Sequence, residues 1–178
     1  MVETGQVLAA QLAVFQALLL AVSAVHKAWT WSRSLGVMRQ FGGVPGSVAS
    51  TVLGTVIVSE LAAGILLLFP AYQALGATMA AALWTVYLGL ILRAILQNRR
   101  DLDCGCSFGP SSRPLGSFQV ARNAVLAGMA LGIAGVSTAL GSVPVELSQM
   151  LGGVALLALY GAVDQVMALQ PLRSGEIL

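Results

Sequence analysis

The sequence predicts an all-α membrane protein, a polytopic bundle of four to five transmembrane helices that forms one membrane domain over residues 1–178. Hydrophobic residues make up 57% of the chain and charged residues only 9%, whereas soluble domains are typically about 25% charged. The apolar residues also fall into long runs, and about 20 in a row suffice to cross the hydrocarbon core of a bilayer. The net charge of +2 is too small and too scattered to indicate nucleic-acid binding.

The first two spans carry polar residues in unusual places. Span one covers about residues 7–25, and because no basic segment precedes it, we interpret it as a retained helix rather than a signal peptide. His26 and Lys27 follow it, and the simplest interpretation of both is anchoring at the membrane interface. Span two covers about residues 47–69 and places Glu60 near its middle. A carboxylate at that depth must be paired, protonated or used.

We expect Glu60 to be held by a cation inside the bundle. Lys27 is the first candidate and Arg122 the second. Both cations start nearer than Glu60 to the membrane face at which span one ends. A direct pair therefore requires span one to continue inward past Lys27 in depth, or tilted helices, and otherwise Glu60 must stay protonated. Arg122 itself either extends to the interface, as long basic side chains commonly do, or meets Glu60 or the cysteine loop described below.

Short connectors join the spans. Residues 33–46 are predicted to form a connector, which is broken at Gly42-Gly43 and at Pro45-Gly46. Only residues 70–72 separate span two from span three, about residues 73–96, which predicts an antiparallel hairpin. Ser47 and Ser117 are the expected N-caps of spans two and four.

The fourth apolar run is a clear span, whereas the fifth contains a charged residue. Span four covers about residues 118–140 and includes Gly128 and Gly132, a pair of small residues that lets a partner helix approach closely. A fifth apolar run covers about residues 150–169 but contains Asp164. Its length favours a span over a half-buried helix.

Both cysteines of the chain, Cys104 and Cys106, lie one glycine apart in the polar loop 97–117. In a tight turn, Cα atoms two residues apart are about 5.5 Å from each other, within the range that a disulfide tolerates, and Gly105 permits the turn. A strained, exposed disulfide of this kind is reducible. The positive charge of nearby arginines stabilises a cysteine thiolate, and the negative charge of Asp103 destabilises it. The pattern favours redox exchange over idle thiols or half of a soft-metal site, since two ligands are too few for zinc.

The loop motif resembles the signature of the MauE family, which comprises small redox-associated membrane proteins related to DoxX. The motif is the run Asp103–Gly109, followed at the start of a helix by Arg122 and Asn123. Ser107 interrupts the family's Cys-Gly-Cys-Phe-Gly run. The similarity covers about residues 6–140, so the fifth span lies beyond it.

The resemblance implies thiol-disulfide exchange through Cys104 and Cys106 with a thioredoxin-like partner. The exchange would support the maturation of a disulfide-containing protein such as methylamine dehydrogenase, on the periplasmic side. Lys27 and Glu60 occupy places similar to polar positions of the family. The polar residues expected to support the cysteines are Glu60, Lys27, His26, Arg122 and Asp103.

Two other interpretations stay open. One is a non-catalytic membrane subunit or scaffold that packs against a larger complex through Gly128 and Gly132. The other is a DoxX-like subunit of a quinone-linked oxidoreductase. We expect no cofactor and no metal, since His26 is the only histidine and no recognisable haem or quinone site accompanies it.

The distribution of charge predicts the orientation of the chain. With five spans, all nine Lys and Arg residues fall on one side, and the connectors around Pro70 and Glu146 carry none. The positive-inside rule then places the N-terminus outside and the cysteine loop and C-terminus in the cytoplasm.

This orientation predicts that a membrane-impermeant maleimide labels Cys104 and Cys106 only after the membrane is opened. Labelling in intact cells would reverse the orientation and put the loop on the side of the periplasmic partners that the resemblance implies.

Overall fold

The computed structural model describes residues 2–42, 44–97 and 116–169, and the regular elements in these ranges are all helical. Six α-helices follow one another: α1 Val2–Trp29, α2 Trp31–Gly42, α3 Gly46–Leu68, α4 Gln73–Leu96, α5 Ser117–Leu140 and α6 Leu147–Leu169. All of them except α2 are long and apolar enough to cross a membrane. The predicted all-α class with up to five spanning helices is therefore confirmed.

Helix α1 is the centre of the bundle. Of its spanning segment 56% is buried within the protein, against 11% for that of α6. Helices α3, α5 and α6 pack against α1, and α4 packs against α3 and α5. The buried residues of α1 include many alanines: Ala9, Ala10, Ala13, Ala17 and Ala24. Such small side chains let neighbouring helices approach the central one closely.

Helix α1 extends past the predicted end of span one and stops at Trp29. The chain bends at Thr30, whose hydroxyl donates a hydrogen bond to the His26 carbonyl oxygen at 2.8 Å, as helix-bending threonines commonly do. Helix α2 follows directly. Most of the connector predicted over residues 33–46 is thus helical, because Gly42 ends that helix rather than interrupting it.

Neither serine predicted as a helix cap has that role. Helix α3 begins at Gly46, and no side chain hydrogen-bonds at its cap, so Ser47 lies within the first turn. Helix α5 begins at Ser117 itself. The side-chain oxygen of Gln119 accepts a hydrogen bond from the Gly116 N–H at 3.0 Å. Gln119 therefore caps α5 by reaching back one turn.

Helices α3 and α4 form the predicted hairpin, joined by the short 3-10 turn Pro70–Tyr72. Their backbones approach closely beside that turn. A Cβ atom at Gly76 would lie 2.6 Å from the Leu67 nitrogen and 2.8 Å from the Leu66 carbonyl carbon. Only glycine fits such an approach without displacing the partner helix.

The turn end of the hairpin is also tied to α5, whose C-terminus is in turn tied to α1. Gln6 Nε2 donates to the Leu140 carbonyl oxygen at 2.6 Å, one of the carbonyls that a helix C-terminus leaves without a partner. Ser137 Oγ donates to Gln73 Oε1 at 2.8 Å. The start of α1, the start of α4 and the end of α5 therefore meet at one end of the bundle, as successive spans of alternating direction require.

The close hairpin predicts that Gly76→Ala lowers the thermal midpoint of unfolding in detergent. The added methyl group overpacks the α3 backbone, and overpacking typically costs about 1–3 kcal/mol. Gly89→Ala, on the same helix, is the matched control. Nothing lies within 4 Å of its Cβ position, and alanine is the better helix former. Equal midpoints for the two variants would contradict the close approach.

Candidate functional site

Glu60 and Lys27 form a buried ion pair between α3 and α1. Lys27 Nζ lies 2.6 Å from Glu60 Oε1. Glu60 is fully buried and Lys27 is 7% exposed. Because side chains on a helix slant towards its N-terminus, Lys27 extends back one turn, where its Nζ donates to Ser23 Oγ at 2.5 Å. The predicted pairing of Glu60 with Lys27 is present, made possible by the extension of α1 beyond residue 25.

A tyrosine from α4 completes this cluster. The Tyr87 hydroxyl donates to Glu60 Oε1 at 2.7 Å, and the Ser23 hydroxyl donates to the same oxygen at 2.9 Å. Lys27 Nζ also lies 5.2 Å from the centroid of the Tyr87 ring, within the range of a cation–π contact. We call Ser23, Lys27, Glu60 and Tyr87 the buried polar cluster. It ties three helices together at one carboxylate oxygen.

The cluster neutralises its own charge but does not use all of its hydrogen-bonding capacity. Glu60 Oε1 accepts three hydrogen bonds. Glu60 Oε2 is buried and accepts none from the described residues. A buried carboxylate is stabilised only when its partner is close and its oxygens are satisfied. The three donors on Oε1 therefore carry most of the compensation for burying this charge.

His26 does not join the cluster. Its side chain is partly exposed and lines a shallow groove on the outside of α1, together with Val25 and Trp29. Trp29 is 87% exposed. The interpretation as an interfacial anchor suits His26 and Trp29. It is wrong for Lys27, because the carboxylate of Glu60 draws that side chain into the bundle.

Arg122 pairs with Asp164 rather than with Glu60. Arg122 Nη1 lies 3.2 Å from Asp164 Oδ1, which joins α5 to α6. Both residues are 8% exposed, so the alternative of Arg122 extending to the interface is also wrong. Glu60 is paired with Lys27 instead, and the alternative contact of Arg122 with the cysteine loop lies outside the described residues. Asp164, which counted against a fifth span, is neutralised by its pairing with Arg122.

A second polar link, which was not predicted from the sequence, crosses the centre of the bundle. Gln16 is fully buried in α1. Its Oε1 accepts a hydrogen bond from Trp84 Nε1 at 2.8 Å, and its Nε2 donates to the Leu126 carbonyl oxygen at 2.9 Å. The Trp84 ring meets the Tyr87 ring edge-on, with centroids 5.8 Å apart. The link thus joins α1, α4 and α5 beside the buried polar cluster.

The remaining predicted site residues are of two kinds. Cys104, Cys106 and Asp103 lie outside the described residues. Gly128 and Gly132 are exposed on α5, and a Cβ atom at either position would have no atom within 4 Å. Within residues 2–42, 44–97 and 116–169, no three His, Cys, Asp or Glu side chains come together as a metal site would require.

Comparison with known proteins gives consistent matches over most of the chain. A family model described as "Methylamine utilisation protein MauE" matches residues 5–138, from the start of α1 to near the end of α5. Methylamine utilization protein MauE of Methylophilus methylotrophus is 32% identical over 154 residues, covering 85% of this chain and 81% of that protein. The proteins of the same name from Paracoccus denitrificans and Paracoccus versutus are 34% and 36% identical, covering 83% and 82% of this chain and 77% and 80% of their own lengths. No solved structure matches.

The buried polar cluster predicts that Glu60→Gln strongly destabilises the protein. Glutamine keeps the shape but leaves the Lys27 ammonium buried without its counter-charge, and breaking a buried pair in this way typically costs about 3–5 kcal/mol. Thermal unfolding in detergent measures the effect. Glu146→Gln makes the same change at an exposed position before α6 and should leave the midpoint unchanged. An unchanged midpoint for Glu60→Gln as well would mean that Glu60 carries no structural charge.

Proposed function

The chain belongs to the MauE family of methylamine utilisation proteins, and from that membership we propose that it exchanges electrons through Cys104 and Cys106 with a thioredoxin-like partner. The exchange supports the maturation of a disulfide-containing partner protein, such as methylamine dehydrogenase. The family match over residues 5–138 agrees with the resemblance over residues 6–140 that the sequence motif suggested.

One observation carries this proposal. The chain has two cysteines, and they are separated by a single glycine. A pair at this spacing closes a small ring, and a disulfide in such a ring exchanges readily rather than serving as a permanent cross-link. The sequence contains no third cysteine, so Cys104 can pair within the chain only with Cys106.

The proposed step is a balanced dithiol–disulfide exchange. The thiolate of one cysteine attacks a disulfide of the partner, whose S–S bond breaks as a mixed disulfide forms. The second cysteine then attacks the mixed disulfide, which closes the Cys104–Cys106 bond and releases the partner as a dithiol. Two electrons and two protons pass from the cysteine pair to the partner in this two-electron couple. In the reverse sequence a dithiol of the partner gives two electrons and two protons to the Cys104–Cys106 disulfide, which returns the pair to thiols and leaves the partner with a disulfide.

We assign a positioning role to the polar residues of the bundle. The cysteine loop connects the end of α4 to the start of α5, and these two helices pack against each other. The buried polar cluster fixes α4 to α1 and α3, and Gln16 bridges α4 to α5. A reactive pair needs a rigid support to meet its partner in the correct geometry. In this proposal Lys27 and Glu60 support the cysteine loop through the helices that flank it.

A scaffold function is the second candidate. Gly128 and Gly132 face away from the described helices of the chain, with open space around both. A small-residue face of this kind suits a helix of another membrane protein. In that case the chain holds a larger complex together, and its cysteines have no part in the function.

The exchange proposal predicts that single substitutions trap the partner. Cys104→Ser or Cys106→Ser leaves one thiol without its resolving cysteine, so one of the two variants should accumulate a mixed disulfide with the thioredoxin-like protein. Non-reducing electrophoresis with mass spectrometry detects the product and identifies the attacking cysteine.

The double variant, with both cysteines replaced by serine, should give no mixed disulfide and no mature disulfide-containing partner at a normal membrane level of the protein. Ser107→Ala is the matched control, because it alters the same loop and keeps both thiols. Normal partner maturation in the double variant would favour the scaffold function instead.

A further inference from the structure

A groove between α5 and α6 lies apart from the buried polar cluster and has no role in the proposed exchange. Its volume is about 280 Å³. Three helices line it, with Phe15 from α1, Phe118 and Met129 from α5, and Tyr160 and Val163 from α6. Apart from the Arg122 side chain, its lining is hydrocarbon and aromatic rings. The groove therefore offers apolar surface with one charged side chain.

The two helices that flank the groove do not touch each other along their backbones. In the described residues, no Cα atom of α5 lies within 8 Å of one of α6. Both helices instead pack on α1, and the Phe15 and Tyr160 rings form the floor with centroids 6.0 Å apart. The Arg122–Asp164 ion pair bridges the two helices one turn in from Phe118. The groove thus has a floor and two walls, which three helices build.

We infer that this groove holds one acyl chain of a membrane phospholipid. The helices that form it are of spanning length, so the groove lies at the depth of the hydrocarbon core. An apolar cavity of about 150 Å³ already excludes water and takes up a small hydrocarbon, and this groove is larger. A chain of methylene groups gives its walls the dispersion contacts that water cannot.

The volume of the groove favours a linear chain over a helix as the occupant. An α-helix with its side chains is about 10 Å across and rises about 5.4 Å per turn, so one turn fills about 420 Å³, more than the groove holds. Phe118 lies in the first turn of α5, so the groove begins near the end of the span. The headgroup then remains at the interface while the tail lies between the helices. The acyl chain supplies the close packing that the backbones of α5 and α6 do not make with each other.

The test uses a phospholipid with a photoactivatable acyl chain, mixed into phosphatidylcholine vesicles that contain the full-length protein. Irradiation followed by peptide mass spectrometry should give adducts concentrated on Met129, Tyr160 and Val163. Ala121→Trp fills the groove from the α5 wall and should abolish these adducts. Ala124→Trp adds the same side chain at an exposed position of α5 outside the groove and should leave them intact.

A second pair of variants keeps the test decisive if Ala121→Trp fails to fold. Val163→Trp fills the groove from α6, and Ala162→Trp is its exposed neighbour outside the groove. Adducts spread evenly over all exposed helices, or adducts that survive in both groove-filling variants, would overturn the inference. Loss of the adducts on addition of an isoprenoid quinone would also overturn it, because the groove would then belong to the quinone.

Discussion

The charge of Glu60 in the middle of α3 is the constraint on which the bundle depends. A carboxylate buried among apolar helices must be met by donors from its neighbours. Lys27 supplies the counter-charge from α1, and Tyr87 supplies a hydroxyl from α4. Because both contacts are directional, they fix the rotation and depth of three helices relative to each other. Apolar packing in a membrane is far less selective, since lipid tails compete equally for the same surfaces.

The other polar contacts extend this frame towards the remaining helices. Gln16 joins α1 to α4 and α5, so the two helices that flank the cysteine loop share a buried amide. Arg122 and Asp164 then attach α6, which otherwise packs only on α1 among the described helices. The polar contacts converge on α1, whereas α6 is peripheral and lies outside the range that the family model matches.

Part of this structure could be predicted from the sequence and part could not, for physical reasons. Apolar runs predicted the spanning helices, because length and hydropathy are local properties. The pairing of Glu60 with Lys27 was predictable, because a buried charge requires an opposite one. The partner of Arg122 was not predictable, because Asp164 in the sequence only counted against a fifth span. Which helix lies beside α5 depends on tertiary packing. In the sequence, Gln16 and Tyr87 are single polar residues within apolar runs. The partners that they contact depend on how their helices are rotated.

The redox state of Cys104 and Cys106 in cells tests the central claim most directly. Thiols are trapped with acid, alkylated with a mass-shifting maleimide and compared by electrophoresis, with and without prior reduction. The account predicts that part of the wild-type protein carries the disulfide, and that this fraction changes when the thioredoxin-like partner is deleted. Two thiols that remain fully reduced in both strains, in cells that make mature methylamine dehydrogenase, would contradict it.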